Sequence, residues 1–380
     1  MEEILNRATI KVIGVGGAGG NAINDMIDCG IHGVDFIAAN TDSQDLEESR
    51  AGMKIHLGDR ATKGLGAGAD PDRGREAALE SKEKIRQVLE ETDMLFITAG
   101  MGGGTGTGAA PVIAEVAREL EILTVAIVTK PFGFEGPQRK KNAEAGIENL
   151  RKYVDTLIAI PNDKLFELPN LNITLMNAFK EANNILRAGV RGISELITMQ
   201  GFVNLDFADI KTTMKDSGVA MLGFGEAEGE DRAKVATDQA LNSPLLEKSI
   251  EGARKILLNI TGGYDLGLNE VQQISTLIRE TAGDANANLI FGTVFDEEIK
   301  GLKISIVATD FIDKNYDSLG DIFTKIKSDE HPQQEEEELK SEAKGQPDKA
   351  KKEDSDGKLF NNESGFILPQ FLKKKDENNQ

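Results

Sequence analysis

Over the first 170 residues the apolar positions of this chain keep to two alternating patterns. "ATIKVIGVGG" (8–17), "GVDFIAANTD" (33–42), "DMLFITAG" (93–100), "ILTVAIVTKPF" (122–132) and "DTLIAIPND" (155–163) are short, almost continuous apolar runs. Runs of this kind predict strands buried on both faces. Between them, "NAINDMIDCGI" carries Ala22, Ile23, Met26 and Ile27 at helical spacing. "DPDRGREAALESKEKIRQVLEET", "AAPVIAEVAREL" and "QRKKNAEAGIENLRKYV" read as further helices. Strands that alternate with helices imply right-handed crossovers, hence a doubly wound, mostly parallel α/β sheet covered on both sides. A long helical pattern follows from Leu171 to about Met199, with Phe179, Ala182, Ile185, Leu186, Val190, Ile193 and Leu196 recurring at three and four. So much of its circumference is apolar that it is expected to lie buried between two domains. Beyond it, "RAKVATDQAL" and "EVQQISTLIRETA" read as helices. "ARKILLNITGG", "ANLIFGTVFD" and "LKISIVATDF" read as strands of a smaller α+β domain. The pattern then stops. "KSDEHPQQEEEELKSEAKGQPDKAKKEDSDGK" has almost no large apolar group, cannot offset its own ordering entropy, and is predicted to be a disordered acidic tail. A short apolar burst, "GFILPQFLKKK", returns at the end. The expected segments are 1–170, the connecting helix 171–200, the smaller domain 201–312, a linker 313–364 and a terminal peptide 365–380.

Charge and composition narrow the function. The 380 residues carry a formal net charge of −20, which excludes the basic field that nucleic-acid binding needs. There is a single cysteine, Cys29, so no intramolecular disulfide forms; it reads as a small hydrophobe on a helix. The opening "MEEILNRAT" is acidic and does not read as a signal peptide, and no window approaches 18 consecutive apolar residues. The expectation is a cytoplasmic protein that does not insert directly into a membrane.

Candidate chemistry begins with glycine. Residues Gly102 to Gly108 are all glycine or threonine, between a predicted strand and a predicted helix. At such a junction the first helical N–H groups are unpaired and the macrodipole is positive. Bare backbone there lets the chain wrap an anion, and Thr105 and Thr107 add hydroxyls. A second junction, "GVGGAGGNA", follows the first strand, with Gly14, Gly16 and Gly19 in the spacing G-x-G-x-x-G. With Asp42 at the end of the next strand, that motif alone suits a dinucleotide. An NAD-dependent oxidoreductase would rest on it, but His32, His56 and His331 all fall in loops or the tail. Two phosphate loops on neighbouring βα units instead suit a mononucleotide triphosphate held along its length, with "KGLGAGADPDRG" (63–74) as a third flexible stretch. No G-x-x-x-x-G-K-[ST] occurs, so backbone dipoles and a metal ion must replace the phosphate lysine.

These motifs carry a family resemblance. "GGGTGTG" resembles the signature of the tubulin-like GTPases. "GVGGAGGNA", "NTD", "GLGAGADP", "AGMGGGTGTGAAP", "TKPFGFEGPQR", "IPND", "NLDFAD" and the terminal "ILPQFL" stand in the order seen in the members that build the bacterial division ring. The likeness spans roughly residues 8 to 311 and the last few residues. It implies GTP or GDP as ligand, with Mg²⁺ bound alongside. Gly16, Gly17, Ala18, Gly19, Gly20 and Asn21, with Gly104, Thr105, Gly106 and Thr107, would cradle the phosphates. Glu135 would bind the ribose, with Arg139 and Asn162 as neighbouring contacts. Read alone, Glu135 and Arg139 are a loop charge and a helix-start charge. Phe179 would lie against the guanine, though by pattern it is simply a core aromatic. Asn183, one turn on, would by the same resemblance be the base-reading position.

"NLDFAD" (204–209) places Asp206 and Asp209 on one face of a helix start, which by itself reads as an N-cap with a first-turn acid. Two carboxylates repel a triphosphate in their own subunit, but can position water when a neighbour brings the nucleotide to them. The resemblance assigns Asn204, Asp206 and Asp209 that role, so that head-to-tail assembly into filaments completes the site. It also implies action at the midcell division site, and a terminal peptide 365–380 that reaches membrane tethers and regulatory division proteins. Deleting residues 365–380 is expected to leave GTP hydrolysis intact and to abolish capture by a division-site tether in a pull-down; unchanged capture would refute this role.

Overall fold

The computed structural model describes residues 8–311, apart from 168–173, 200, 202, 204, 247, 285, 286, 297 and 298. Asn204, the linker and the terminal peptide therefore lie outside the described residues.

Seven strands form the first sheet: β1 (Ile10–Val15), β2 (Asp35–Asn40), β3 (Met53–His56), β4 (Met94–Gly100), β5 (Leu123–Lys130), β6 (Thr156–Pro161) and the short β7 (Gly218–Val219). Their order is β3-β2-β1-β4-β5-β6-β7, and every pairing is parallel. Successive residues of a strand face opposite sides, so one strand feeds two cores. Ile10 and Val12 of β1 enter a core with Ile23, Phe96 and Val125, whereas Ile13 and Val15 enter another with Ile37, Ile97 and Ile113. This is why these strands read as unbroken apolar runs. Lys11 interrupts β1, but its Nζ donates to the carbonyls of Val88 and Glu90 at 2.7 and 3.0 Å, satisfying backbone at the end of α4 (Lys82–Leu89).

The helices α1 (Gly16–Asp28), α2 (Ser43–Glu48), α3 (Pro71–Glu80), α4, α5 (Thr105–Glu119) and α6 (Pro137–Arg151) belong to the crossovers of this sheet. Two details differ from the sequence reading. The helix expected over 70–92 is broken between α3 and α4 at Ser81, whose Oγ accepts the Gly58 N–H at 3.0 Å. Cys29 is exposed just past the end of α1, where its backbone N–H closes the last turn and its Sγ accepts from Arg187 Nη1 at 2.6 Å.

The long helix α7 (Leu175–Thr198) lies between the first sheet and a second one. Ala182, Leu186, Val190 and Ile193 are buried, and at Gly189 a side chain would meet both Ile127 of β5 and Leu222 of the second sheet. After α8 (Phe207–Met214), the second sheet is built from β8 (Met221–Ala227), β9 (Ala253–Gly262), β10 (Asn288–Phe295) and β11 (Leu302–Phe311) in the order β10-β9-β11-β8. Only β9–β10 is parallel. Helices α9 (Arg232–Leu241) and α10 (Leu268–Ala282) share its core. The architecture is the expected one: a doubly wound parallel domain, a long connecting helix and a smaller α+β domain.

Arg232, 9% exposed at its side chain, locks α9 to α10. Its Nε and Nη2 donate to both Glu270 oxygens at 2.7 and 3.0 Å, and Nη1 donates to Asp265 at 2.7 Å. The guanidinium holds the Glu270 carboxyl below its ordinary range, against the opposing effect of burial. A depressed folded-state pKa stabilises the fold fully above the unfolded value, about 4.3, and that contribution is lost as pH falls through the folded value. Arg232→Met is expected to lose about 3 kcal/mol at neutral pH, since Glu270 is left part-buried and unpaired. The gap between wild type and variant should narrow below about pH 4 in urea titrations.

Candidate nucleotide site

The order of the first sheet reverses direction between β1 and β4, and a crevice forms beyond the carboxyl ends of strands at such a point. Helices α1 and α5 start there, side by side. Their N-cap positions, Val15 and Gly104, make no side-chain cap bond, and neither helix has an acid in its first turn. By contrast, α2 is capped by Asp42, which accepts from Gln44 N at 2.9 Å, and α3 by Asp70, which accepts from Asp72 N at 3.0 Å. Asp42 is thus engaged as a helix cap rather than left to bind a ribose. The bare N–H groups of α1 and α5 make two adjacent positive ends suited to phosphate.

The crevice is an open cleft running along the strand ends from β1 to β6. Three strand spacings make it about 14 Å long, the reach of a nucleoside triphosphate. Of the residues singled out by sequence, Gly16, Gly17, Ala18, Gly104, Thr105, Gly106, Glu135, Arg139, Asn162, Phe179 and Asn183 line it. Gly20 and Asn21 line a smaller recess beside Gly17. Gly19 is buried, with the Thr98 carbonyl only 2.6 Å from where a Cβ would sit, so it serves the packing of α1 on β4. Thr107 is also turned inward: it is 3% exposed and its Oγ1 accepts the Gly102 N–H at 2.8 Å. It shapes the loop and does not line the cleft.

At the far end from the glycine loops, the wall is aromatic. Phe132 is buried, with Phe134 stacked on it at 5.0 Å and Phe179 edge-on at 5.5 Å. Phe179 is 44% exposed, against the reading of a core aromatic, and presents an apolar face on which a ring can stack. Asn183 follows one turn later on α7. Asn162, at the end of β6, is 6% exposed and its Oδ1 has no hydrogen-bond partner. A buried acceptor without a donor is costly, which marks a place for a ligand N–H or O–H. Glu135 accepts from Phe132 N at 2.9 Å through one oxygen and from Arg139 through the other, so both are fixed at the cleft rather than free loop charges.

Sequence reading missed several participants. Thr41 at the end of β2 shares a 2.6 Å hydrogen bond with Thr105, fixing the first residue of α5. Asp45 stands beside Gly17, held by Asn40 at 3.1 Å. The "NTD" motif holds Thr41 but only precedes Asp45, and nothing local marks either as facing the glycine loops. Among the described residues, no group of three or more His, Cys, Asp or Glu is placed to hold a metal ion.

Asp206 and Asp209 are exposed and lie elsewhere. Asp206 occupies the N-cap position of α8 without making the capping bond, so its carboxylate is not spent on its own helix. The other end of α8 is fixed at the opposite edge of the sheet, where Met214 O accepts from Thr156 Oγ1 at the start of β6 at 2.5 Å. The cleft opens at the strands' other ends. Along α7, Asn183 and Thr198 are themselves separated by about 22 Å.

A parallel α/β domain that turns two bare helix ends onto one cleft at its switch point defines a nucleoside-phosphate-binding protein. Residues 9–170 match the Tubulin/FtsZ family, GTPase domain, and residues 218–312 match the FtsZ family, C-terminal domain. The fold is similar to FtsZ of M. jannaschii in an empty dimer, with 46% identity, TM-score 0.76, and 80% of this chain and 88% of that one covered. A point mutant of the same protein gives 46%, 0.77, 80% and 92%. CetZ1 from Haloferax volcanii, a GDP-bound monomer, shares the fold at 22% identity, TM-score 0.69, with 79% and 93% covered. The chain belongs to the tubulin/FtsZ family, and its first domain is a GTPase domain.

The glycines of the run divide into two kinds. A Cβ at Gly106 would lie 2.7 Å from Gly100 O, and one at Gly108 would lie 2.0 Å from Pro71 O. A Cβ at Gly103 would meet nothing within 4 Å. Gly106→Ala and Gly108→Ala are therefore expected to destabilise by about 1–3 kcal/mol or more, and Gly103→Ala to unfold like wild type in thermal scans. Equal losses at all three positions would contradict this division.

Proposed function

We propose that the protein is an assembling GTPase whose active site is shared between neighbouring subunits, and that its filaments form the division ring. The supporting observation is the separation of the two halves: a complete phosphate cleft at one end of the strands, and two exposed, uncommitted carboxylates on a helix fixed at the other end. In one subunit they do not meet. When copies stack head to tail, the cleft of one faces α8 of the next, and a shared site forms.

In this reading the N–H groups of α1 and α5 hold the phosphates, with Gly16 to Asn21 and Gly104 to Gly106 giving close backbone approach. Glu135 accepts from the ribose while Arg139 keeps it oriented. The guanine stacks on Phe179 and hydrogen-bonds Asn183. Mg²⁺ bound with the nucleotide would neutralise phosphate charge, and Asp45, held by Asn40 beside Gly17, is a carboxylate placed to orient it. Asp206 and Asp209 of the next subunit, with Asn204, orient the attacking water and accept its proton. Hydrolysis removes the phosphate that bridges the contact and so weakens it.

Self-association has further support. One similar structure, FtsZ of M. jannaschii, is a dimer. The described residues also expose apolar groups near each half-site. Leu65, 80% exposed, bridges to Asp42 next to Thr41. Tyr264, 74% exposed, stacks on Phe295 of β10 at 5.0 Å, and Thr293 of that strand exchanges hydrogen bonds with Val203 on the way into α8. The ring assembles in the cytoplasm at midcell, with residues 365–380 as the tether and regulator peptide. Turnover per subunit, followed with light scattering, should show a threshold in protein concentration. Asp209→Ala should bind GTP normally and lose about 10²–10⁴-fold in turnover. Mixing it with a subunit that cannot bind nucleotide should restore hydrolysis where the two meet. Flat turnover per subunit at all concentrations, without scattering, would mean a self-contained site.

A further inference from the structure

His56, at the end of β3, ties two helices together through its ring. Nδ1 lies 2.5 Å from Asp59 Oδ1, and Lys84 of α4 donates to the other oxygen of that carboxylate at 2.8 Å. Nε2 lies 3.3 Å from Oγ of Ser43, the first residue of α2. The Lys84 ammonium, and then the imidazole, hold the Asp59 carboxyl below its ordinary range, so Asp59 only accepts. The proton of a neutral imidazole therefore sits on Nδ1, which leaves Nε2 to accept from the Ser43 hydroxyl.

Ser43 in turn faces the loop 63–69. Its N–H donates to Gly64 O at 3.1 Å, and a Cβ at Gly64 would fall 2.3 Å from its Oγ. This loop is strained. Lys63, Gly64, Gly66, Gly68 and Ala69 are all left-handed, at φ of 54, 76, 78, 62 and 62°, and two of them are not glycine. Such backbone persists only where its surroundings hold it. The loop is wedged between the end of β2 and the start of α5. Gly66 N donates to Thr41 O at 3.1 Å, and at Gly104, the N-cap of α5, a Cβ would fall 2.7 Å from that of Ala67. With the base on Phe179 at the other end of the cleft, this is the end that the last phosphate reaches.

We propose that Asp59, His56 and Ser43 form a hydrogen-bonded strut that sets the loop 63–69 against the start of α5, and that His56 is thereby a positioning residue for the terminal phosphate. The proposal rests on the assignment of the cleft as the nucleotide site. The strut acts through the loop and does not itself touch the ligand. A diphosphate stops short of the loop, so only the triphosphate depends on where the loop is held.

The test measures affinity for a slowly hydrolysed GTP analogue and for GDP on the full-length protein with Mg²⁺, below the concentration at which it scatters light. His56→Leu and Ser43→Ala are each expected to lose about 2- to 12-fold for the triphosphate, the cost of one hydrogen bond, and to leave GDP affinity unchanged. Because both act through the same bond, the double variant should lose no more than His56→Leu alone. Asp59→Asn keeps an oxygen that accepts the Nδ1 proton and should retain most of the triphosphate affinity. Equal losses for both nucleotides would mark a structural role only and overturn the proposal. Losses that multiply in the double variant, or unchanged affinities throughout, overturn it as well. If His56→Leu does not fold, Ser43→Ala, which removes a single oxygen, decides by the same comparison of the two nucleotides. Failure of wild type to bind either nucleotide overturns the nucleotide site itself, and this inference with it.

Discussion

The structure is organised around two helix N-termini held side by side without anything of their own to neutralise them. Each end carries about half a positive charge, and two such ends a few ångströms apart in a partly solvated cleft repel by roughly 1 kcal/mol. The parallel sheet easily overrides this, because β1 and β4 are hydrogen-bonded neighbours over six residue pairs and the helices follow from the strand ends. What the fold does not supply is a cap. Other helices of the same domain show that the chain can provide one, as Asp42 and Asp70 do. The omission at α1 and α5 leaves that satisfaction to a ligand. Each nearby oddity follows: no acid in the first turns, glycine where the backbones touch, and the Thr41–Thr105 bond that fixes the second helix from outside the cleft.

Much of this was legible in the sequence, for physical reasons that also mark where legibility ended. Strands buried on both faces write themselves as apolar runs, so β1, β2, β4, β5 and β6 were visible with their helices. The second sheet was visible except for β8. Its "LGFGEA" carries Gly223 and Gly225, which weaken any strand signal, yet they let α9 pack so closely that a Cβ would fall 2.2 and 1.9 Å from the Ala240 and Ala236 carbonyls. Ser81 was hidden because its helix-breaking bond comes from Gly58, far away in sequence.

The glycine run shows the same limit at the site. Its composition announced phosphate chemistry, but not which glycine does what. Gly106 and Gly108 answer to backbone a strand or a helix away, Gly103 faces open space, and Thr107 spends its hydroxyl on Gly102. Phe179 sat in a heptad-like pattern that spelled core, and only the tertiary arrangement opens its ring to the cleft. Periodicity assigns a face to a side chain, and cannot say whether that face is covered by protein or left for a ligand.

The separation of cleft and carboxylates fixes what kind of assembly can join them. A twofold contact would bring like surface to like, cleft against cleft, placing two triphosphates together and both α8 helices at the outside. Only a contact between unlike ends brings Asp206 and Asp209 to a neighbour's nucleotide, and each such contact leaves one free cleft and one free α8. On the proposed reading the assembly therefore grows as a line. With the nucleotide within such a contact, its binding and the contact's strength would be linked, and whatever changes the phosphates would change the contact by the same free energy. On the proposed reading, α7 is what keeps these two ends in register. It carries Phe179 and Asn183 into the cleft and, through buried Leu186, Val190 and Ile193, holds both sheets in one core. On that reading the tie between hydrolysis and assembly comes from the placement of the two half-sites, one beside the start of α7 and the other on α8 beyond its end.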